Sequence, residues 1–379
     1  MRLFENLNID FLGKRKIGYA ISGTLIILGL LSILFRGLGL GIDFKGGTQI
    51  ALQFEKPIDI SQVRTEIDKI GLGNVEVKTF GGETGVLLRT EYQQITPEIY
   101  PKVLTAINNS IDKNFPNIQK SIVDSTTSSV TYSFADPETA NAVNDKLFEL
   151  GYQATLEQNE ADNNRVVVRV SIADWIEENL RAEFSDNPFS LLKEEVVGPK
   201  VGEELKQDAV VAILLSLLVI LVYLGFRFKF AFAIGAVAAL FHDVIITLGV
   251  FSLLYGLIPG LNLEISVSII AAFLTLVGYS INDTVIVFDR VRENLKIHKT
   301  APIESNINAA INKTMSRTVI TSLTTLFAVL VLLIFGGEVL RGFAFALFFG
   351  IIVGTYSSIF VASAFVLEYA QRWDKKIQF

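Results

Sequence analysis

The sequence predicts a polytopic α-helical membrane protein of six transmembrane helices that carries an extracytoplasmic α+β domain of ferredoxin-like type, duplicated. Three observations predict it. Six apolar runs are each long enough to cross a ~30 Å hydrocarbon core at ~1.5 Å per residue. One long polar block separates the first run from the other five. Inside that block, stretches of period-two and period-3.6 hydrophobicity alternate in the order β-α-β-β-α, twice.

The chain has 379 residues, half of them apolar, and a mean hydropathy of +0.45, which is too apolar for an ordinary soluble domain. Its net charge of −6 offers no basic, aromatic-interleaved patch for nucleic acid. It has no cysteine, which excludes disulfides and thiolate metal sites. Its two histidines, His242 and His298, make a histidine-based metal site an unpromising expectation.

Residues 1–16 carry Arg2, Lys14, Arg15 and Lys16 and read as a cytoplasmic N-terminus. The run from Ile17 to Phe35, within a first span at 17–37, is long for a signal peptide and has no small-residue cleavage site after it. Residues 38–207 form the polar block. It opens with GIDFKGGT, Gly41 to Thr48, whose glycines suit tight turns and close backbone approach. A phosphate loop is disfavoured because Lys45 precedes the Gly-Gly and Walker spacing is absent.

The first β-α-β-β-α run is placed at 46–115. Ile50, Leu52 and Phe54 alternate as a strand; Val63, Ile67 and Ile70 mark a helix face; Val75–Phe80 and Gly85–Thr90 make a hairpin around Gly81-Gly82. Thr96-Pro97 is expected to open the second helix, as N-cap and first-turn proline. The second run is placed at 128–186. Val130, Tyr132 and Phe134 alternate, and Asp136-Pro137 caps a helix bearing Ala140, Val143 and Leu147. Tyr152–Gln158 and Arg165–Ser171 pair around Asp162, and Ala173–Phe184 closes the unit. A single irregular α+β domain is the alternative. Leu191–Leu205 is expected to be a linker back to the membrane.

The remaining spans, within 208–370, are expected at Ala209–Phe226, Phe230–Leu254, Leu263–Phe288, Thr318–Phe335 and Phe343–Leu367. Arg227, Lys229, the basic residues of a loop at about 290–316, and Arg372, Lys375 and Lys376 in the C-terminal 371–379 all fall on one side. By the positive-inside rule that side is the cytoplasm, both termini are inside, and the polar domain is outside, periplasmic where there is an outer membrane.

Charged residues inside spans are costly, by ~2.5–3.5 kcal/mol on insertion scales, and are by default functional hypotheses. Span four places Asn282 and Asp283 before one more apolar turn. Span three places Asp243 near mid-bilayer on a face with Gly235, Ala239 and Ile246. Span five begins with Arg317, and Thr321, Thr324 and Thr325 continue its face. Spans four and five run in opposite directions, so Asp283 and Arg317 lie at similar depth and are expected to pair. Thr321, Thr324 and Ser280 can hold the water of a proton path. Asp243 is expected to handle the ion as part of that path, with an interhelical anchor as its structural alternative; the alternative for Arg317 is snorkelling. Gly350, Gly354, Ser358 and Ala362 form a small-residue ridge expected to pack helices closely. No catalytic residue of a hydrolase is legible: GxSxG, HExxH and Walker motifs are absent.

GIDFKGGT, VVGPKVGEEL, FHDVIITLG, VGYSINDTVIVFDRVREN, SRTVITSLTTL and GTYSSIFVASA together resemble the SecF family, membrane subunits of bacterial protein export within the wider SecD/SecF group, which resembles the resistance-nodulation-division transporters. The resemblance implies an inner-membrane, multi-pass, non-hydrolytic subunit. It implies a SecD-like partner, the SecYEG channel, YajC and preprotein substrates, with no cofactor beyond protons as the coupling ion. It implies that the proton-motive force drives export after the ATP-dependent step, through a proton pathway containing Asp283 and Arg317, with Asn282 where the SecD motif carries its Asp. About 70–75 residues, roughly 117–190, are expected to be an addition to the usual outer domain. The alternatives are half of a proton-driven small-molecule exporter and an uncoupled scaffold of the channel.

Overall fold

A computed structural model of the chain describes residues 7–157, 163–258 and 261–372. Arg2, Gln158, Asp162, Lys375 and Lys376 lie outside the described residues. The chain divides into two compact units, Ile42–Glu203 and Met1–Gly41 with Glu204–Phe379.

The first unit is α+β. After the short helix α2 (Ile42–Lys45) come β1 (Gly47–Phe54), α3 (Ile60–Lys69), β2 (Glu76–Thr79), β3 (Gly85–Thr90) and α4 (Tyr100–Asn114). Then follow β4 (Lys120–Thr126), β5 (Ser129–Phe134), α5 (Pro137–Glu149), β6 (Gln153–Leu156), β7 (Arg165–Arg169), α6 (Ile172–Glu183) and β8 (Phe189–Val197). Two four-stranded antiparallel sheets result, β2-β3-β1-β8 and β4-β5-β7-β6. Each has the split order of a ferredoxin-like sheet. The strand beside the first strand of the run is β8 in one sheet, from the C-terminal side, and β4 in the other, from the N-terminal side.

Alternation places Ile50, Leu52 and Phe54 of β1, and Val130, Tyr132 and Phe134 of β5, in the interior. Asp136 accepts from the Thr139 N–H as the N-cap of α5, and Ser171 with Asp174 forms a capping box on α6. Gly47 has φ +112°, and a Cβ there would lie 2.2 Å from the Thr90 carbonyl oxygen, so the Gly-Gly pair serves close strand approach.

Four expectations are corrected. Thr96-Pro97 forms a turn, and α4 opens only at Tyr100 with no side-chain cap; Pro101, lacking an N–H, sits in its first turn. Leu191–Leu205 is not a linker: β8 pairs with β1 from Phe54↔Phe189 to Gly47↔Val197, and a helix begins at Pro199. Residues 120–126, given no element by their pattern, are the edge strand β4. Finally, the two runs are not separately packed. The last helix of each lies with the other's elements: α6 packs on β1 and α3, while α4 packs on α5. Lys120 Nζ of β4 donates to Asp112 of α4 at 2.6 Å, and Phe54 of β1 meets Phe184 at the end of α6, ring centroids 5.7 Å apart. One contiguous apolar core therefore runs through both sheets.

The second unit contains α1 (Arg15–Arg36), α7 (Pro199–Arg227), α8 (Phe230–Leu254), α9 (Val267–Ile297), α10 (Ile303–Phe335), α11 (Gly337–Ser357), a π-helical turn (Ser358–Ala362) and α12 (Ser363–Arg372). Among the described residues, six helical stretches are long and apolar enough to cross a membrane, the sixth running through the π turn. In that turn the Ser363 hydroxyl donates to the Ser358 carbonyl five residues back, at 2.8 Å. α1 packs along α8, and α11 lies against α8, α9 and α10. The segment before α1 is clamped by side chains of α10. Asn312 bonds both backbone groups of Ile9 (2.9 and 2.8 Å), and Asn308 Oδ1 accepts from the N–H groups of Phe11 and Leu12.

Candidate functional site

The polar residues of the helical unit gather at two buried carboxyls. Asp283, on α9, is 2% exposed. Ser322 of α10 donates to its Oδ2 at 3.4 Å, and the same hydroxyl meets Thr355 Oγ1 of α11 at 2.8 Å. Thr318, one turn before Ser322 on α10, is also buried, and its hydroxyl has no hydrogen-bond partner.

The expected Asp283–Arg317 pair is not formed. Among the described residues no hydrogen bond or ion pair joins the two and Arg317 is exposed, although its charge is near enough to act on Asp283 without contact. Helical phase explains this. Residues advance by ~100°, so the face of α10 that turns Ser322 toward Asp283 is not the face that carries Arg317, Thr321 and Thr324. Thr321 is half-buried and donates to the Arg317 and Thr318 carbonyls of its own helix. Thr324 is exposed and likewise bonds back into its helix. Thr325 alone reaches across, accepting from the Tyr279 hydroxyl of α9 at 3.3 Å. Asn282 is exposed on α9, turned away from the site beside it.

Asp243 is the more elaborately held acid. It lies on α8 and is 1% exposed. Its Oδ2 accepts from Ser280 of α9 at 2.6 Å and from Ser357 of α11 at 2.8 Å. Its Oδ1 lies 2.9 Å from Nδ1 of His242, and Nε2 of His242 lies 2.8 Å from Oγ of Ser22 on α1. Ser22 in turn meets the Tyr356 hydroxyl at 3.1 Å, and Tyr356 donates to the Gly18 carbonyl at 2.6 Å. Three helices thus converge on one carboxyl, and α1 reaches it through His242. Ser280 and Asp283 are three residues apart on α9, so the two sites are neighbours on that helix.

Small residues make the convergence possible. A Cβ on Gly354 would lie 2.9 Å from Ser280 Cβ and 3.5 Å from Asp243 Oδ2. Gly350 sits against Leu276 of α9, and Gly235 against Phe365 and the Ala362 carbonyl. Ser358 is buried, its hydroxyl bonded to the Thr355 carbonyl. Sequence reasoning named Asp243, Asp283 and Ser280 but missed His242, Ser22, Ser322, Thr355, Tyr356 and Ser357. The one legible signal was the cluster of hydroxyls in GTYSS, which read as a packing ridge.

A family model described as protein export membrane protein SecD/SecF, C-terminal, matches residues 176–372, and the SecD/SecF GG motif matches residues 31–58. The chain is similar to protein translocase subunit SecF of Rhodothermus marinus, 42% identical over 372 residues that cover 98% of this chain and 96% of that one. It is similar to the subunit of the same name from Pseudomonas aeruginosa, 33% identical over 359 residues covering 95% and 90%. Alignments of this reach include residues 117–190, so that stretch is not an addition peculiar to this chain. The fold is similar to the crystal structure of SecDF, a translocon-associated membrane protein from Thermus thermophilus, at TM-score 0.68 and 31% identity. It is also similar to SecDF in a super-membrane-facing form, at TM-score 0.57 and 32% identity. In both cases the match covers 98% of this chain and 40% of that one, so the chain spans two fifths of the SecDF chains it matches.

Proposed function

This chain belongs to the SecD/SecF family of protein-export membrane proteins, and from that membership we propose that it is the SecF-type half of a proton-driven export subunit. It is a multi-pass membrane protein. In the proposal it sits in the cytoplasmic membrane with both termini inside and residues 42–203 outside. It joins a SecD-like half and works beside the SecYEG channel, with YajC as an accessory. The proton-motive force then completes the passage of a preprotein after the ATP-dependent step. That the SecDF chains are longer supports a missing partner half.

One observation carries the reading. Asp283 is sealed among helices, and the group that touches it is a hydroxyl, not a counter-charge. A serine hydroxyl donates to a carboxylate and accepts from a carboxylic acid. The site therefore suits both protonation states, as a residue that gains and loses a proton in each cycle requires. Arg317, exposed on the helix next to it, is the cation a partner helix would meet. An arginine in a membrane-length helix calls for such a partner or for the interface. In this reading Arg317 sets the proton affinity of the site once the partner has docked, Thr321 borders the path, and Asn282 faces the partner rather than the site.

Depletion of the gene tests the proposal. Secretory precursors should accumulate, and affinity purification in mild detergent should recover a SecD-like chain with channel subunits. Normal secretion together with lost drug efflux would favour a small-molecule exporter instead.

A further inference from the structure

The proposed cycle uses Asp283 and leaves a second buried titratable pair without a task. His242 and Asp243 are 6% and 1% exposed. From them a chain of four contacts leads to α1: Asp243 Oδ1 to His242 Nδ1, His242 Nε2 to Ser22 Oγ, Ser22 Oγ to Tyr356 Oη, and Tyr356 Oη to the Gly18 carbonyl. Each contact needs one hydrogen. Tyr356 supplies one and must spend it on Gly18, whose carbonyl can only accept. Ser22 supplies one. A neutral imidazole supplies one. With an ionised Asp243 the chain is one hydrogen short: a bare Nδ1 would set two acceptors face to face at 2.9 Å, so the imidazole hydrogen sits on Nδ1, and the Ser22 hydrogen then serves Nε2 or Tyr356, not both.

One added proton closes it. If His242 carries hydrogen on both nitrogens, Nδ1 donates to Oδ1, Nε2 to Ser22, Ser22 to Tyr356 and Tyr356 to Gly18. If the added proton sits on Oδ1 instead, Oδ1 donates to Nδ1 and Nε2 keeps its hydrogen, so the rest of the chain is unchanged. Both forms place a hydrogen on Nε2. Meanwhile Oδ2 accepts from Ser280 and Ser357 in either case. Apart from His242, the groups hydrogen-bonded or ion-paired to Asp243 among the described residues are neutral hydroxyls; the nearest further acid on these helices is Asp283, three residues beyond Ser280 on α9.

We infer that the Asp243–His242 pair is a second proton-holding site, which stores one proton and by it joins α1 to α8 and α11. Loss of that proton turns the Ser22 hydroxyl toward Nε2 and leaves the Ser22–Tyr356 contact without a hydrogen, so α11 loses a link to α1. The inference rests on the proposed function for the source of its proton, but its test does not.

The chain has two histidines, so His298→Gln leaves His242 as its one imidazole. The full-length His298→Gln chain, labelled with nitrogen-15 histidine, purified on a histidine-free tag and placed in lipid bilayers near neutral pH, gives ring-nitrogen spectra that report each protonation directly. The expected result is a protonated Nε2, and its loss in Ser22→Ala. A bare Nε2 with hydrogen on Nδ1 alone overturns the inference, as does an Nε2 proton unaffected by Ser22→Ala. If Ser22→Ala fails to fold, the parent spectrum alone decides. A chain that shows the protonated Nε2 but gives no gradient-driven export sinks the proposed function and leaves this inference standing.

Discussion

At the scale of single residues, Gly354 shows how tightly the intramembrane site is built. A methyl there would press on Ser280 and approach the Asp243 carboxyl, whereas a Cβ on Gly278 of the same helix pair meets nothing within 4 Å. Gly354→Ala should destabilise the helical unit by ~1–3 kcal/mol through overpacking. Gly278→Ala should be neutral or stabilising by up to ~1 kcal/mol, since alanine favours the helix. Thermal unfolding in detergent separates the two, and equal effects would contradict the packing described. In the α+β unit, burial holds the Glu178 carboxyl above its usual range, only partly offset by the hydrogen bond from Tyr152. The folded state thus binds that proton more tightly than the unfolded one. The resulting stability is full below the unfolded value of about 4.3 and is lost as pH rises through the raised folded value. Glu178→Gln should therefore raise the melting temperature of residues 42–203 at pH 7 and much less at pH 4, as read by circular dichroism. At this scale the sequence displayed Asp243 and Asp283, because a carboxyl in an apolar run is conspicuous. It hid Ser22, Ser322 and Ser357, because serines are ordinary in such helices and only tertiary packing aims them at an acid.

At the scale of elements, the exchanged helices α4 and α6 bear on how the α+β unit folds. Ile172, Ile176 and Leu180 of α6 are buried, each contributing ~1.5–3 kcal/mol by burial, in a core shared by both sheets. Deleting residues 117–188 from a 42–203 fragment removes α6 from β1 and α3. The remnant should lose its cooperative thermal transition, while the intact fragment, a compact unit, should retain one. A folded remnant would contradict the shared core. Helix and strand positions were mostly legible because α3, α5, β1 and β5 have clear periods. The strands β4 and β8 were not. Both are largely exposed edge strands, so their side chains need not alternate, and a bulge opposite Ala51 and Leu52 interrupts the period of β8 as well. Nor can periodicity say which sheet a helix covers, since it shows an apolar face but not its partner.

At the scale of the whole molecule, the six spans and the polar block were plain from hydropathy, and the family comparisons agree with that architecture. The Asp283–Arg317 pair does not form as a direct contact, though the Arg317 charge acts on Asp283 from a distance. Equal depth on neighbouring helices is legible in a sequence, but rotation about the helix axis is not, and here it leaves Arg317 open. In the proposed function Asp283 is nevertheless the residue that exchanges the proton. A proton crossing 100 mV releases ~2.3 kcal/mol, which is lost to export if its carrier cannot ionise. Asp283→Asn keeps the shape and the hydrogen bond from Ser322 but cannot release a proton. The decisive measurement is preprotein translocation into inverted membrane vesicles carrying this variant with its partner subunits, with and without a proton gradient, alongside a check that the complex assembles. The account predicts normal assembly and ATP-driven translocation with the gradient-dependent stimulation abolished. Full stimulation in an assembled Asp283→Asn complex would contradict it.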